Sequence, residues 1–320
     1  MAKRIAILTS GGDAPGMNAV IRAVVRKGLH HQMEIYGIER GYEGLIAGQF
    51  LPLAIGSVGG VIQRGGTMLK TARSEVFKTA PGFELATKNL RRWEIDCLIV
   101  VGGDGSMAGA VKLSQAGFNT IVIPATIDND MPGTEYAIGY DTALNTVLDA
   151  VNKIRDTAVS NERVAVVEVM GRNSGHIALM AGLACGAEVI LLPERPLNMD
   201  EVCHTLLRSQ QRGKLYSIVV VAEGVAKGYE IAGTIARQTS FKPHVTVLGY
   251  IQRGGSPSAA DNIMGSRMGS LAVDCILKET VNTLIASWDG GLKPLPFDQA
   301  VKNTKELDLS LYELAGILAM

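Results

Sequence analysis

Short apolar runs recur along the chain, and each is closed by a glycine, a proline or an acidic residue. Their apolarity is continuous rather than alternating, which is typical of strands covered on both faces, as in parallel sheets. The runs that predict strands are Ile5–Leu8, Glu34–Ile38, Cys97–Val101, Thr120–Ile123, Val164–Val169, Val189–Leu192, Ser217–Val221 and Val245–Leu248. Helical periodicity lies between them, as in Met17–Gly28 and Leu144–Ile154. The alternation predicts a doubly wound α/β architecture, whose ligands bind at the carboxyl ends of the strands.

Composition narrows the class of protein further. A chain of 320 residues is long enough for about two domains. Lys plus Arg total 31 and Asp plus Glu total 31, so no basic field favours nucleic acid or a membrane surface as partner. The cysteines, of which there are 4, are far apart and form no C-x-x-C pair, which predicts reduced thiols in the cytoplasm.

Two glycine-rich segments follow predicted strands and precede helical stretches. They are Thr9-Ser-Gly-Gly-Asp-Ala-Pro-Gly-Met-Asn18 and Gly102-Gly-Asp-Gly-Ser106. Glycines expose backbone N–H groups where a helix dipole begins, which suits phosphate. Taken alone, the first segment is equally an ordinary strand-to-helix turn, but two such loops in one sheet favour a polyphosphate site. Neither matches the Walker A or the dinucleotide pattern.

Carboxylates accompany these loops. Asp104 lies between glycines, where Mg²⁺ is held when the substrate provides most ligands. Asp128 and Asp130 follow the next strand, and could act as general base and as a ligand of metal-bound water. By itself this second pair also fits a solvated acidic turn.

Arginines gather at strand ends and in glycine turns, where guanidinium groups suit phosphate oxygens. They are Arg73, Arg163, Arg172 and Arg253. Glu223 closes an apolar run and could accept hydrogen bonds from a polyol. The hexapeptides Ile62–Thr67 and Ile251–Ser256 are nearly identical, and both are typical of basic, glycine-rich turns.

Several of these segments together resemble the bacterial 6-phosphofructokinases. They are Thr9–Asn18, Gly102–Ser106, Thr126-Ile-Asp-Asn-Asp130, Met170-Gly-Arg172 and Ile251-Gln-Arg-Gly-Gly-Ser-Pro257. The resemblance runs from Arg4 to about residue 280 and is weak after it. It implies two Rossmann-like αβα domains with mainly parallel sheets. The larger, ATP-binding domain would comprise 1–139 plus 252–305, and the smaller, sugar-phosphate-binding domain 140–251 plus 306–320.

The resemblance also implies an activity: an ATP- and Mg²⁺-dependent kinase that phosphorylates fructose 6-phosphate at its 1-hydroxyl in glycolysis. By resemblance, the nucleotide residues are Gly12, Arg73, Gly103, Asp104, Gly105 and Ser106. The sugar-phosphate residues are Thr126, Ile127, Asp128, Arg163, Met170, Gly171, Arg172, Glu223, His244, Tyr250 and Arg253. The catalytic group is Asp128 as base with Arg172, Thr126 and Arg73, and the metal residues are Asp104 and Asp130.

Further implications concern assembly and regulation. Arg163 would complete the site of a neighbouring subunit, which predicts a homo-oligomer, most simply a tetramer. The implied effector residues are Arg22, Arg26, Arg155, Glu188, Arg212 and Lys214.

The sequence departs from the family pattern at a few positions. His244 replaces the second arginine that crosses between subunits, Tyr250 a phosphate-binding histidine, and Ile55 an effector-site arginine. Ala125 stands where the family commonly has glycine, whereas the pyrophosphate-dependent relatives typically carry lysine there and aspartate in place of Gly105, so ATP is predicted as donor. The alternatives are a paralogue that uses another sugar phosphate or pyrophosphate, and a non-catalytic subunit that binds nucleotide or sugar phosphate.

Overall fold

Strands and helices alternate over residues 3–319, the part of the chain that this computed structural model describes. The strands are β1 (Arg4–Ser10), β2 (Glu34–Ile38), β3 (Phe50–Pro52), β4 (Cys97–Gly102), β5 (Thr120–Pro124), β6 (Val164–Val169), β7 (Val189–Leu191), β8 (Ser217–Ala222), β9 (His244–Val247), β10 (Thr283–Trp288) and β11 (Gly291–Pro296). The helices are α1 (Met17–His30), α2 (Gly41–Ala47), α3 (Ala80–Arg92), α4 (Asp104–Gln115), α5 (Tyr140–Ser160), α6 (His176–Cys185), α7 (Met199–Gln211), α8 (Gly228–Gln238), α9 (Ala259–Leu277), α10 (Phe297–Ala300) and α11 (Leu309–Leu318). Each apolar run named above forms a strand, which confirms the predicted α/β class.

The chain divides into two compact units. Unit 1 comprises the described residues up to Thr126 together with Asp130–Thr142 and Arg253–Lys305. Unit 2 comprises Ile127–Asn129, Ala143–Gln252 and the residues from Glu306 onward. No helix within residues 3–319 combines the length and apolarity needed to cross a bilayer.

The sheet of unit 1 has 7 strands in the order β11-β10-β5-β4-β1-β2-β3. Its inner strands run parallel, and the carboxyl ends of β1, β4 and β5 are level, because Ser10 pairs with Gly102 and Gly102 pairs with Pro124. Ile7, Ile99 and Ile121 are fully buried, as expected for strands covered on both faces. The segments that follow Ser10, Gly102 and Pro124 therefore emerge side by side.

Three strands of this sheet were not predicted. β3 and β11 pair antiparallel with β2 and β10, at the two edges of the sheet. β11 carries Pro294 and Pro296, which an edge strand tolerates because one side of its backbone needs no ladder partner. β10 is buried at Thr283–Ile285 and pairs with β5. This pairing could not be predicted from the sequence.

The sheet of unit 2 has 4 parallel strands in the order β7-β8-β6-β9. Val169 pairs with Ala222, so the segments beginning at Met170 and Glu223 leave the same edge of the sheet. His244 pairs with Ala165, which places it at the opposite, amino-terminal edge. The core between this sheet and helices α7 and α8 is aliphatic and includes Val219, Leu206 and Ile235.

Candidate active site

The first glycine-rich loop joins β1 to α1 in unit 1. Gly11 and Gly16 have φ values of 89° and 98°, the left-handed region that glycine adopts without strain. A Cβ atom on Gly11 would lie 3.3 Å from the Ser106 hydroxyl, so the loop passes close to the start of α4. The backbone N–H groups of this turn are thereby collected beside two helix N-termini, an arrangement that suits phosphate.

The second loop joins β4 to α4 and carries the predicted metal ligand. Asp104 is the first residue of α4 and is exposed, and a Cβ atom on Gly105 would meet nothing within 4 Å. Gly103 lies against Thr126, because its Cβ atom would be 3.6 Å from the threonine Cβ. The residues 3–319 contain no cluster of three metal-ligating side chains. A single exposed carboxylate fits Mg²⁺, which keeps several waters and takes phosphate oxygens from its substrate.

Asn18 anchors a third segment, residues 64–73, to the first loop. Its side chain donates to the Arg64 carbonyl (3.1 Å) and accepts from the Met68 N–H (2.8 Å). Thr71 donates to the Gly11 carbonyl (2.9 Å). The exposed Arg73 follows two residues later, so its backbone is tethered to the loop although its side chain is open to solvent.

The two similar glycine turns pack backbone on backbone in unit 1. A Cβ atom on Gly65 would collide with the Gly255 carbonyl. The neighbouring Arg253 turns its guanidinium toward the first loop, where any side chain at Gly12 would overlap it, and its Nη1 lies 4.0 Å from Asp13 Oδ1. The repeated hexapeptide thus forms a pair of contacting turns beside the first glycine-rich loop.

The second cluster of predicted residues lies in unit 2. The Asp128 side chain is 3% exposed, and its Oδ2 lies 3.2 Å from Nε of Arg172. Glu223 Oε1 accepts from the backbone N–H groups of Gly171 (3.3 Å) and Arg172 (3.0 Å). Arg172 has a φ of 52°, a strained value for arginine, and the bonds to Glu223 hold its turn in place. Glu223 therefore shapes the turn that brings Arg172 to Asp128.

Further residues support this turn. Gln252 is fully buried and its Oε1 accepts from the Met170 N–H (3.2 Å). Ile127 is buried beside Asp128, whereas Tyr250 is exposed, on the short helical turn Gly249–Arg253. Sequence reasoning missed Asn18 and Gln252. Asn18 could have been found as a polar residue on the apolar face of α1, and Gln252 as a member of the repeated hexapeptide.

Arg163 and His244 are not brought to this cluster within unit 2. They contact each other, Nη1 to Nε2, at the amino-terminal edge of the sheet. Met170 leaves the opposite edge, and six strand residues at about 3.3 Å each place the two edges about 20 Å apart. Within unit 2, this pair is therefore far from the cluster around Asp128 and Arg172.

The predicted effector residues in unit 2 also converge. Glu188 is buried and accepts from Lys214 Nζ and from the Ile218 N–H (2.5 Å). Arg155 donates to the Cys185 carbonyl, and its Nε is buried with no hydrogen-bond partner among the described residues. Burial and then the charge of Arg155 lower the pKa of Lys214. Arg212 and Glu188 line a cavity of about 320 Å³.

The remaining effector predictions fall in unit 1. Arg22 and Arg26 lie on α1, with Arg26 exposed. Ile55 is 62% exposed at the start of a short helical turn. An exposed isoleucine buries little apolar area here, so packing within unit 1 does not explain the residue.

Glycine-rich loops at level strand ends, an exposed carboxylate at a helix start and a buried aspartate beside arginine define an α/β phosphotransferase. The family model described as Phosphofructokinase matches residues 4–276, and the chain belongs to that family. It is 50% identical over 318 residues to the ATP-dependent 6-phosphofructokinase of Brevibacillus brevis, covering 99% of this chain and 100% of the relative. It is 57% identical over 276 residues to that of Bacillus pumilus, covering 86% of each. The family model ends at residue 276, close to the position after which the resemblance was expected to be weak, whereas the alignment with the Brevibacillus brevis relative continues beyond it.

Solved structures agree with the family. Phosphofructokinase from Saccharomyces cerevisiae superimposes with a TM-score of 0.88 at 34% identity, over 99% of this chain and 48% of that chain. Pichia pastoris phosphofructokinase in the T-state gives 0.91 at 32% identity, over 99% of this chain and 36% of that chain. This chain therefore spans half or less of the length of those yeast chains.

Proposed function

We propose that this chain transfers the γ-phosphoryl group of MgATP to the 1-hydroxyl of fructose 6-phosphate, which yields ADP and fructose 1,6-bisphosphate in glycolysis. The observation that carries the proposal is the buried Asp128 carboxylate beside Arg172. The curated relatives named ATP-dependent 6-phosphofructokinase, about half identical over nearly the full chain, support the same reaction.

Unit 1 is the nucleotide-binding part in this proposal. The residues assigned to MgATP are Gly12, Arg73, Gly103, Asp104, Gly105 and Ser106. The open space at Gly105 supports a nucleotide rather than pyrophosphate as donor, because no side chain restricts the approach of a large ligand there. Asp104 and Asp130 would hold Mg²⁺, which neutralises charge on the phosphate oxygens when it is bound.

Unit 2 supplies the proton acceptor. Asp128 takes the proton of the 1-hydroxyl while the hydroxyl oxygen bonds to the γ-phosphorus and the bond to the β,γ-bridging oxygen breaks, so that ADP leaves. Arg172 places positive charge beside the carboxylate, where it would stabilise charge that develops on the transferred group. Met170, Gly171 and Glu223 form the turn at the sugar, and Thr126 and Ile127 flank the base.

The 6-phosphate completes the assignment of the site. Arg253 and Tyr250 would bind it together with Arg163 and His244 of a neighbouring subunit, an arrangement supported by the distance of about 20 Å between the edges of the unit 2 sheet. The active protein is then a homo-oligomer, most simply a tetramer. Its location in the cytoplasm is part of the proposal, supported by Cys97, Cys185, Cys203 and Cys275, which are all buried free thiols.

An anion would bind the effector residues. The buried Nε of Arg155 has no hydrogen-bond partner among the described residues, and the charge of Arg155 acts on Lys214; both observations support anion binding in unit 2. Arg22 and Arg26 would add charge from α1. Ile55 donates no hydrogen bond, so the affinity would be lower than in relatives that have arginine there.

A shifted acceptor preference is the second candidate, and His244 and Tyr250 favour it. Arginine offers five N–H donors in a fixed fork, whereas histidine offers at most two ring N–H groups and tyrosine offers one neutral O–H donor. Another sugar phosphate with a different phosphate position would tolerate these exchanges better than fructose 6-phosphate.

The test is a matrix of donors and acceptors. ADP formation from ATP, or phosphate release from pyrophosphate, is measured with fructose 6-phosphate, tagatose 6-phosphate, sedoheptulose 7-phosphate and free fructose. The highest specificity constant with ATP and fructose 6-phosphate supports the proposal, and a higher constant for another sugar phosphate supports the second candidate. If none of the acceptors gives turnover above that of the Asp128→Asn variant, both candidates are refuted and a non-catalytic subunit is favoured.

A further inference from the structure

Asp261 is a fully buried carboxylate in unit 1 that the proposed reaction does not use. It lies in the first turn of α9 and is 0% exposed. Its Oδ1 accepts from Tyr136 Oη (2.7 Å) and from the Gly139 N–H (2.7 Å). Its Oδ2 accepts from the Thr142 N–H (2.8 Å) and from Thr142 Oγ1 (2.5 Å). No ion pair among residues 3–319 includes this side chain. Burial raises the pKa of Asp261 while these hydrogen bonds oppose the rise.

The hydrogen bonds continue between the two helix starts. Thr142 Oγ1 accepts from the Ser258 N–H (2.9 Å), and Ser258 Oγ accepts from the Asp261 N–H (3.2 Å) while donating to Asp141 Oδ2 (2.6 Å). The start of α5 and the start of α9 are thus joined by a closed set of polar contacts. A buried carboxylate whose acceptor positions are filled by neutral donors fixes geometry without a counter-charge.

The segment that Asp261 holds is continuous with the strand end that carries Thr126. Ile138, between Tyr136 and Gly139, donates from its N–H to the Pro124 carbonyl (3.0 Å) and forms a β-bridge with Ala125. Residues 136–142, called the wall below, therefore lie against Pro124 and Ala125, and Thr126 follows Ala125 directly in the chain. A displacement of this wall would move the backbone that leads to Thr126.

The same segment also touches the first glycine-rich loop. Gly139 has a φ of 102°, and a Cβ atom there would lie 2.6 Å from the Ala14 Cβ. A Cβ atom on Gly16 would lie 3.3 Å from the Asp261 Cβ and 2.6 Å from Ile138 Cγ2. Neither glycine has room for a side chain. The backbones of the first glycine-rich loop, the wall and α9 therefore pack directly against one another.

We infer that Asp261 is a positioning residue of the phosphoryl transfer: its carboxylate holds residues 136–142 so that Thr126 and the first glycine-rich loop keep the geometry that the reaction needs. The inference rests on the proposed function. Reaction rates are steeply sensitive to misplacement of about 1 Å, whereas ground-state binding is less so. The loss of this carboxylate should therefore reduce kcat and leave both KM values nearly unchanged.

The primary variant is Asp261→Asn, which places an amide NH₂ where the carboxylate accepts two donors. We expect kcat to fall about tenfold to a hundredfold, with KM for ATP and for fructose 6-phosphate within about threefold of the parent. The matched control is Asp274→Asn, the same exchange on the same helix, where Asp274 pairs with Lys27 at 2.6 Å. We expect its kcat to stay within twofold. Measurements are made well below the midpoint of unfolding, so that loss of folded protein does not imitate a loss of kcat.

A second pair of variants serves if Asp261→Asn does not fold. Thr142→Val removes the hydroxyl that bridges Asp261 and Ser258 at nearly constant volume, and Thr142→Ser retains it. We expect kcat to fall severalfold in the former only. Equal kcat in this pair, or parental kcat in folded Asp261→Asn, overturns the inference while the activity of the parent stands. A parent without phosphotransferase activity overturns the proposed function and this inference with it.

Discussion

Replacing Asp128 by asparagine tests the assignment on which the proposed reaction depends. The exchange keeps the volume of a side chain that is 3% exposed and removes the carboxylate charge that would take up the hydroxyl proton. A positioned general base contributes about a hundredfold to ten-thousandfold in rate, equivalent to about 2.7–5.4 kcal/mol of transition-state free energy. We therefore expect kcat of Asp128→Asn to fall by at least a hundredfold.

The expected effect on folding is much smaller. Asp128 pairs with Arg172, whose side chain is 49% exposed, so the guanidinium group stays solvated and no buried cation is left without a partner when the carboxylate is removed. The matched control is Glu168→Gln in the same unit. Glu168 is also buried, and it accepts from the Gly228 N–H (2.7 Å) at the start of α8. This control should retain kcat within about twofold.

The assay is ADP formation with saturating ATP and fructose 6-phosphate, paired with chemical unfolding of each variant. Turnover of folded Asp128→Asn within about threefold of the parent would refute the role of Asp128 as base. An equal loss of kcat in Glu168→Gln would show instead that any buried carboxylate of unit 2 is needed, and the reasoning from the Asp128–Arg172 contact would fail.

Three further predictions concern the donor, the acceptor and stability. Gly105→Asp adds a carboxylate in open space beside Asp104, so KM for ATP should rise at least tenfold at an unchanged melting temperature. An unchanged KM in initial-rate assays would contradict the donor assignment. His244→Arg should lower KM for fructose 6-phosphate severalfold, because it adds a fork of permanently charged donors. Initial-rate kinetics will check this, and an unchanged KM would count against a phosphate there. Burial lowers the pKa of Lys305 to about 8, so between pH 8 and 10.5 the unfolded chain holds a proton that the folded chain has lost. The unfolding free energy of the parent, relative to that of Lys305→Met, should therefore rise with pH across that window by up to about 1.4 kcal/mol per pH unit. Denaturant titrations at several pH values will measure it. If the unfolding free energies of the two proteins change with pH in parallel, burial does not destabilise the charged form of Lys305.

The sequence by itself determined the α/β class, because runs such as Cys97–Val101 are apolar at every position, which is typical of a strand covered on both faces. It also located the chemistry, since glycines and carboxylates at the ends of such runs have few roles other than turns and ligand contacts. The sequence did not predict the edge strand β11. It contains two prolines, which argue against a strand, and it is one only because it pairs with β10.

The tertiary structure decided which of these residues act together. Asp128 and Arg172 are far apart in sequence, as are the two Gln-Arg-Gly-Gly turns, and both pairs are in contact. Arg163 and Met170 are close in sequence, yet one strand separates them by its whole length. Asp261 has no sequence signature, because its function lies in donors supplied by another segment at 2.5–2.8 Å. The pattern of apolar residues along a segment indicates which of its faces are buried. Contacts between distant segments depend instead on strand order and register, because these are set by the packing of the whole unit.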